Sequence, residues 1–197
     1  MTKGKLTILV SVLVLGLAGG AQANLIGDPS FSSGGSGTPW TGVSRWHDYH
    51  YATSPYAARI GYSLDTPIMQ TITGETVTAG TYHVSFAQDT DGTSGYITFD
   101  VGYMSGGSFV SAGGMQVACL NYGGNYGSPP WDVSSDTIDI AAGNPAIGQT
   151  LAVKMFTTSD SPYCSYVDDI EMTWTPEPAS MGLLALGGIG LLRRRRR

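Results

Sequence analysis

The sequence predicts an all-β body built as two packed sheets, and two observations carry that prediction. Helical periodicity is nearly absent between Asn24 and Thr175, and clusters of Gly, Ser, Thr and Asp break that stretch about every 8 to 12 residues. Between the breaks lie short runs in which β-branched and aromatic residues alternate with polar ones. That is the period-2 pattern of a strand with one buried face.

In chain order, the first element stands apart from this body. Lys3 and Lys5 form a basic start, Leu6 to Ala18 an apolar run, and Ala21-Gln22-Ala23 a small-x-small cleavage site. This is the layout of a secretory signal peptide over residues 1–23, with Asn24 as the mature N-terminus. The body is expected over 24–175. Strands are expected around Leu25 and Phe31, then over Ile68 to Thr73. Thr81 to Met104 reads as two antiparallel strands joined by DTDGTSG. Tyr82, Val84 and Phe86 alternate with polar positions in the first, and Ile97, Phe99 and Val101 in the second. Further strands are expected over Phe109 to Cys119, Thr137 to Ala141, Thr150 to Thr157 and Tyr166 to Trp174. Ser32 to Thr38 and the tyrosine-rich Asn121 to Pro130 read as loops. About eight strands result, for which a two-sheet jelly roll is the economical arrangement.

Charge and cysteine narrow the function classes. Between Asn24 and Pro178 lie all 15 acidic residues and only three basic ones, Arg45, Arg59 and Lys154, a net charge of −12. Nucleic acid is excluded as a partner, because binding phosphates requires cations that displace counterions. Cys119 and Cys164 both fall in the exported stretch, where a pair reads as a disulfide. It would close a loop of about 45 residues and contribute about 4 kcal/mol in the chain-entropy picture.

The chain ends PEPASMGLLALGGIGLLRRRRR. Ala179 to Leu192 is an apolar run of 14 residues with one polar side chain, Ser180. As a helix it reaches about 21 Å, against about 30 Å of hydrocarbon. It is a marginal span, held by thinning of the bilayer or by snorkelling of Arg193, Arg194, Arg195, Arg196 and Arg197. Those five arginines place the tail in the cytoplasm and the body outside.

Pro176-Glu177-Pro178, a short Gly-rich apolar helix and a terminal Arg cluster, in that order, resemble the PEP-CTERM protein-sorting domain over residues 176–197. The resemblance implies a Gram-negative bacterium that makes exopolysaccharide. It implies a precursor held in the inner membrane, and an exosortase, a membrane transpeptidase, that recognises Pro176, Glu177 and Pro178 and cuts near them. The body then passes to the cell surface or extracellular matrix. Prolines keep the recognition element extended and outside the helix.

The body carries a second resemblance. NLIGDPSF at the mature start, Trp40, and YVDDIEMTW near the end are similar to jelly-roll carbohydrate-binding modules of the galactose-binding-like superfamily. Those modules commonly hold a structural calcium with an early Glu and a late Asp. Ser32 stands here where the Glu is expected. Asp168 or Asp169, with backbone carbonyls near Asp28, is what the resemblance leaves for calcium.

The candidate ligand surface is the aromatic stretch around WHDYHY: Trp40, Trp46, Tyr49 and Tyr51, with Arg45 and Asp48 as polar partners. Aromatic rings bury the apolar faces of sugars while polar neighbours bond their hydroxyls. His47 and His50 are three apart and face opposite sides of a strand, so they do not form a metal pair. No G-x-S-x-G, HExxH or P-loop motif occurs. Asp168 and Asp169 are adjacent and cannot act together as an acid/base pair on a strand. The reading is therefore a non-enzymatic, exported surface or matrix protein with a polysaccharide-binding body. A structural or adhesive protein without ligand is the alternative, and a secreted glycoside hydrolase a more distant one.

Overall fold

Alternation of buried and exposed side chains decides which faces of the strands meet. The computed structural model describes residues 23–33, 38–42, 46–47, 56–60, 67–90, 95–119, 131–158 and 165–177. Among them are ten strands and no helix: β1 Trp40–Thr41, β2 Trp46–His47, β3 Ala57–Ile60, β4 Ile68–Thr76, β5 Gly80–Thr90, β6 Tyr96–Ser105, β7 Ser108–Ala118, β8 Asp132–Ile140, β9 Thr150–Thr158 and β10 Ser165–Pro176. They form two five-stranded antiparallel sheets. The first has the order β1-β4-β9-β6-β7 and the second β2-β3-β10-β5-β8.

The core lies between the sheets. The first sheet contributes Ile68, Ile97, Phe99, Val101, Leu151, Val153 and Met155; the second contributes Tyr82, Val84, Phe86, Ile138, Ile140, Val167, Ile170 and Met172. Each such side chain, fully buried, contributes roughly 1.5–3 kcal/mol of transfer free energy. Where β7 and β8 approach each other the fit is close. A Cβ on Gly113 would lie 2.9 Å from Ile138 Cγ2 and 3.0 Å from Ile140 Cδ1.

The expected hairpin from Thr81 to Met104 is not formed. Both strands exist with the expected buried faces, but β5 lies in the second sheet between β10 and β8, and β6 in the first between β9 and β7. The chain passes from one sheet to the other after Thr90. Alternation identifies a buried face and does not choose a neighbour. The tight hairpin is β6–β7, where Ser105 pairs Ser108 around Gly106 and Gly107. Their φ angles of 57° and 83° are the two positive values that a type I′ turn requires.

The expected first strand is instead a tight turn. Phe31 N donates to Asp28 O at 3.2 Å, and Asp28 and Phe31 have φ of 48° and 52°. The turn delivers Ile26 and Phe31 to the core.

Its reason lies in β10. Strand β3 pairs only Ser165, Tyr166 and Val167 of β10. Beyond them Asp169 has φ of 49°, and the segment from Asn24 to Pro29 takes over as neighbour. Leu25 N donates to Met172 O at 2.8 Å, and Ile170 N to Pro29 O at 2.9 Å. Asn24 imitates a strand with its side chain. Its Nδ2 donates to Ile170 O at 2.9 Å, while its Oδ1 accepts from Met172 N at 2.9 Å and Ile26 N at 3.1 Å.

Asn24→Ala removes these three hydrogen bonds and strands two backbone N–H groups, so it is expected to cost about 2–4 kcal/mol. Urea unfolding checks this. A cost below about 0.5 kcal/mol, the size of an ordinary surface substitution, would contradict the role given to Asn24.

Candidate functional site: the outer face of the second sheet

The sandwich has two outer faces, and they differ. On the first sheet, Lys154 of β9 pairs with Asp100 of β6 in register, and Lys154 Nζ lies 3.2 Å from Asp100 Oδ2. The same ammonium lies 4.9 Å from the ring centroid of Phe109 and 4.6 Å from that of Phe156. Gly114 stands opposite Asp100, and a Cβ there would overlap its carboxylate. Gln116 Nε2 donates to Thr98 Oγ1 at 3.2 Å. At the centre of this face, charge and rings are satisfied by one another.

The outer face of the second sheet is open. Alternation along β5 turns Thr81, His83 and Ser85 outward, a strip of about 13 Å, while Ala87 and Asp89 farther along the same face are buried. Thr137 and Ser135 of β8 pair His83 and Ser85. With Asp136, and with Glu171 and Thr173 of β10, they line a cavity of about 250 Å³. On the outward side its lining is the hydroxyls of Ser85, Ser135, Thr137 and Thr173, the Glu171 carboxylate and the His83 imidazole, while Val84 and Asp136, also at the cavity, stand opposite each other on the core side of the register. At its rim His83 Nε2 lies 3.2 Å from Thr175 Oγ1, and Thr81 Oγ1 donates to Asp139 Oδ1 at 2.6 Å. Asp136 Oδ1 accepts from Thr137 N at 2.8 Å. Glu171 is exposed, with no hydrogen bond or ion pair among the described residues.

Farther along, the face becomes apolar. Ala57, Ala87, Trp131 and Tyr166 form a buried cluster separate from the main core, reaching from β3 across to the start of β8. Trp131 is 8% exposed, and its Nε1 has no acceptor. Arg59 pairs Tyr166 in register, and Asp168 is fully buried.

The residues singled out from sequence are distributed unevenly. Trp40 is a correction: it is 4% exposed, its ring centroid lies 5.4 Å from that of Phe31, and its Nε1 donates to Asp28 O. Its pairing with Gln70 on the buried face of β4 puts it in the core, where no sugar reaches it. Trp46 lies on β2, which borders the second sheet beside β3. Arg45, Asp48, Tyr49 and Tyr51 lie outside the described residues. Asp168 Oδ1 accepts from Asp169 N at 2.9 Å. Among the described residues no three His, Cys, Asp or Glu side chains converge as metal ligands, and Asp28 turns its carboxylate to Ser32 and Ser33. Pro176 ends β10 and Glu177 follows it. Pro178 and Arg193 to Arg197 lie outside the described residues.

The expected disulfide is not formed. Cys119 is a free, half-buried thiol, and its Sγ lies 3.4 Å from Ser165 Oγ. It sits beside the right stretch of chain but contacts the hydroxyl next to Cys164, which itself lies outside the described residues.

Sequence reasoning missed His83, Ser135, Glu171 and Thr173 as a group. His83, Glu171 and Thr173 fall in expected strands, whereas Ser135 lies before the expected start of its strand; β5, β8 and β10 are not consecutive, and their adjacency is a property of the topology.

With the geometry in place, the comparisons with known proteins can be read. Residues 175–197 match the PEP-CTERM protein-sorting motif. No curated protein matches the chain by sequence. Among solved structures, the CBM22-1 xylan-binding domain of Paenibacillus barcinonensis Xyn10C is similar with a TM-score of 0.55 at 12% identity, covering 81% of this chain and 99% of that one. A family 16 carbohydrate-binding module is similar with a TM-score of 0.52 at 13% identity, covering 76% and 99%. At these identities the likeness is one of fold: the body is a two-sheet jelly-roll sandwich that resembles these modules.

Burial pushes the Cys119 thiol above its ordinary pKa, and the Ser165 contact offsets part of that. The folded protein therefore holds the thiol proton more tightly than the unfolded chain. Stability from this source is present below the ordinary thiol pKa and declines as pH rises through it. In reductant, with Cys164→Ser to isolate Cys119, alkylation at pH 8 is expected to be at least about tenfold slower in the native protein than in urea. Equal rates would contradict the burial.

Proposed function

We propose that this is an exported protein, held at the inner membrane by residues 176–197, released by exosortase and displayed at the cell surface or in the matrix. There the outer face of its second sheet binds polysaccharide. The observation that carries the sorting part is the motif match at 175–197. Removal of residues 1–23 as a signal peptide belongs to the same reading.

The open face carries the binding part. It offers a cavity whose hydroxyls, Glu171 carboxylate and His83 imidazole suit sugar hydroxyls, and an edge bordered by the strand that starts the WHDYHY segment. At the centre of the first sheet's face, Lys154 and Asp100 are already paired with each other, as are Gln116 and Thr98. A jelly-roll fold adds a precedent for glycan binding, and the body acts as a binding module and not as a catalyst.

Replacing Pro176, Glu177 and Pro178 with Ala is expected to leave unprocessed precursor in the membrane fraction, seen as a larger band on immunoblots. Normal maturation would remove exosortase from the account. For the body, Ser135→Trp places a bulky ring on the exposed edge strand and into the cavity. It is expected to weaken retardation in polysaccharide gels by more than about tenfold at unchanged melting temperature. Unchanged retardation would move the site elsewhere, and no retardation of the parent protein by any glycan would leave the structural, adhesive role.

A further inference from the structure

We infer that the body itself withholds its sorting motif: the end of β10 has to leave the sheet before the processing enzyme can grip Pro176, Glu177 and Pro178. The inference rests on the sorting reading above and adds a control to that same site. The fold runs into the motif without a linker. β10 extends to Pro176, the first residue of the motif, and its neighbour in the sheet is β5. Trp174 packs against the main core. Thr175, the last residue before the motif, is tied twice to β5. Its Oγ1 lies 3.2 Å from His83 Nε2 and donates to Thr81 O at 3.4 Å.

Chain length sets what an enzyme can hold. The apolar run begins at Ala179, so three residues separate it from Thr175. Fully extended, three residues reach about 10 Å. A single helix with its side chains is already about 10–12 Å across. A groove built from such elements cannot close around three residues while Thr175 is held in the sheet. The prolines already keep the segment extended, so it has no slack to give. Releasing Thr173, Trp174 and Thr175 doubles the reach to about 20 Å.

Fraying of a chain end is among the least costly openings of a folded domain. Here the Thr175 contacts and the packing of Trp174 oppose it. Cleavage through a transiently opened state follows the open fraction when opening and closing are fast. The local stability of β10 therefore sets the rate at which the precursor is released.

The test follows the full-length precursor by pulse-chase in cells that process the parent chain. Inserting Gly-Ser-Gly-Ser-Gly-Ser between Thr175 and Pro176 leaves β10 through Thr175 and the motif intact and supplies the missing reach. If about a tenth of the molecules are open at any time, bypassing the opening step speeds maturation about tenfold. Thr175→Val keeps the β-branched shape and removes the hydroxyl from both contacts. It is expected to mature about threefold faster at unchanged melting temperature.

A linker variant that matures no faster than the parent overturns the inference, because the enzyme then takes the motif with β10 in place. Acceleration by the linker without acceleration by Thr175→Val upholds it and leaves the hold to Trp174. A parent precursor that is never shortened, or normal maturation with Pro176, Glu177 and Pro178 replaced by Ala, brings down the sorting reading instead.

Discussion

One extra residue in the last strand, Asp169, sets the terms for the rest of the body. In a regular strand, inward-facing residues recur every second position. In β10 the buried apolar positions are Val167, then Ile170 and Met172, so the period slips by one at Asp169, whose φ is 49°. Such an interruption bends a strand and frees its backbone from one neighbour. Both consequences are visible. The edge of β10 given up by β3 is taken by Asn24, Leu25 and Pro29. A buried backbone group left without such a partner would cost about 1–3 kcal/mol. The last strand of the body thus depends on Asn24, a residue far from it in the chain.

The same slip builds the candidate site. Without it, Glu171 and Thr173 would point into the core. With it, they turn outward beside His83 and Ser85, and the cavity has its third wall. The core therefore tolerates the irregularity at Asp169 for a reason connected with its outer surface. On the first sheet, where Lys154 meets Asp100, the glycine at position 114 leaves room for the carboxylate, and the two charges meet each other. One architecture yields a self-satisfied face and an open one because the residues on alternate positions differ, not because the sheets do.

Much of this was legible in the sequence. The fold class, most of the long strands and their buried faces follow from period-2 alternation, and the slip itself is written in YVDDIEM as an apolar spacing of three. The tail was legible as a motif and as a length too short for a comfortable span. Pairing was not: the Thr81 to Met104 segment reads as a hairpin until the topology separates its strands. Trp40 reads as part of the ligand surface because it shortly precedes the aromatic stretch around WHDYHY, and the turn at Asp28 and Phe31 shows that it packs on the core. The N-terminal half of β8, DVSSD, carries no apolar alternation because it is an edge strand exposed to solvent, so nothing local announced it.

The central claim is that glycan meets the outer face of the second sheet. Amide chemical-shift mapping of the isotope-labelled protein during titration with a glycan that retards it tests this most directly. The account predicts perturbations concentrated at His83 to Ser85, Ser135 to Thr137 and Glu171 to Thr173. Perturbations centred on Phe109, Lys154 and Phe156 would contradict it.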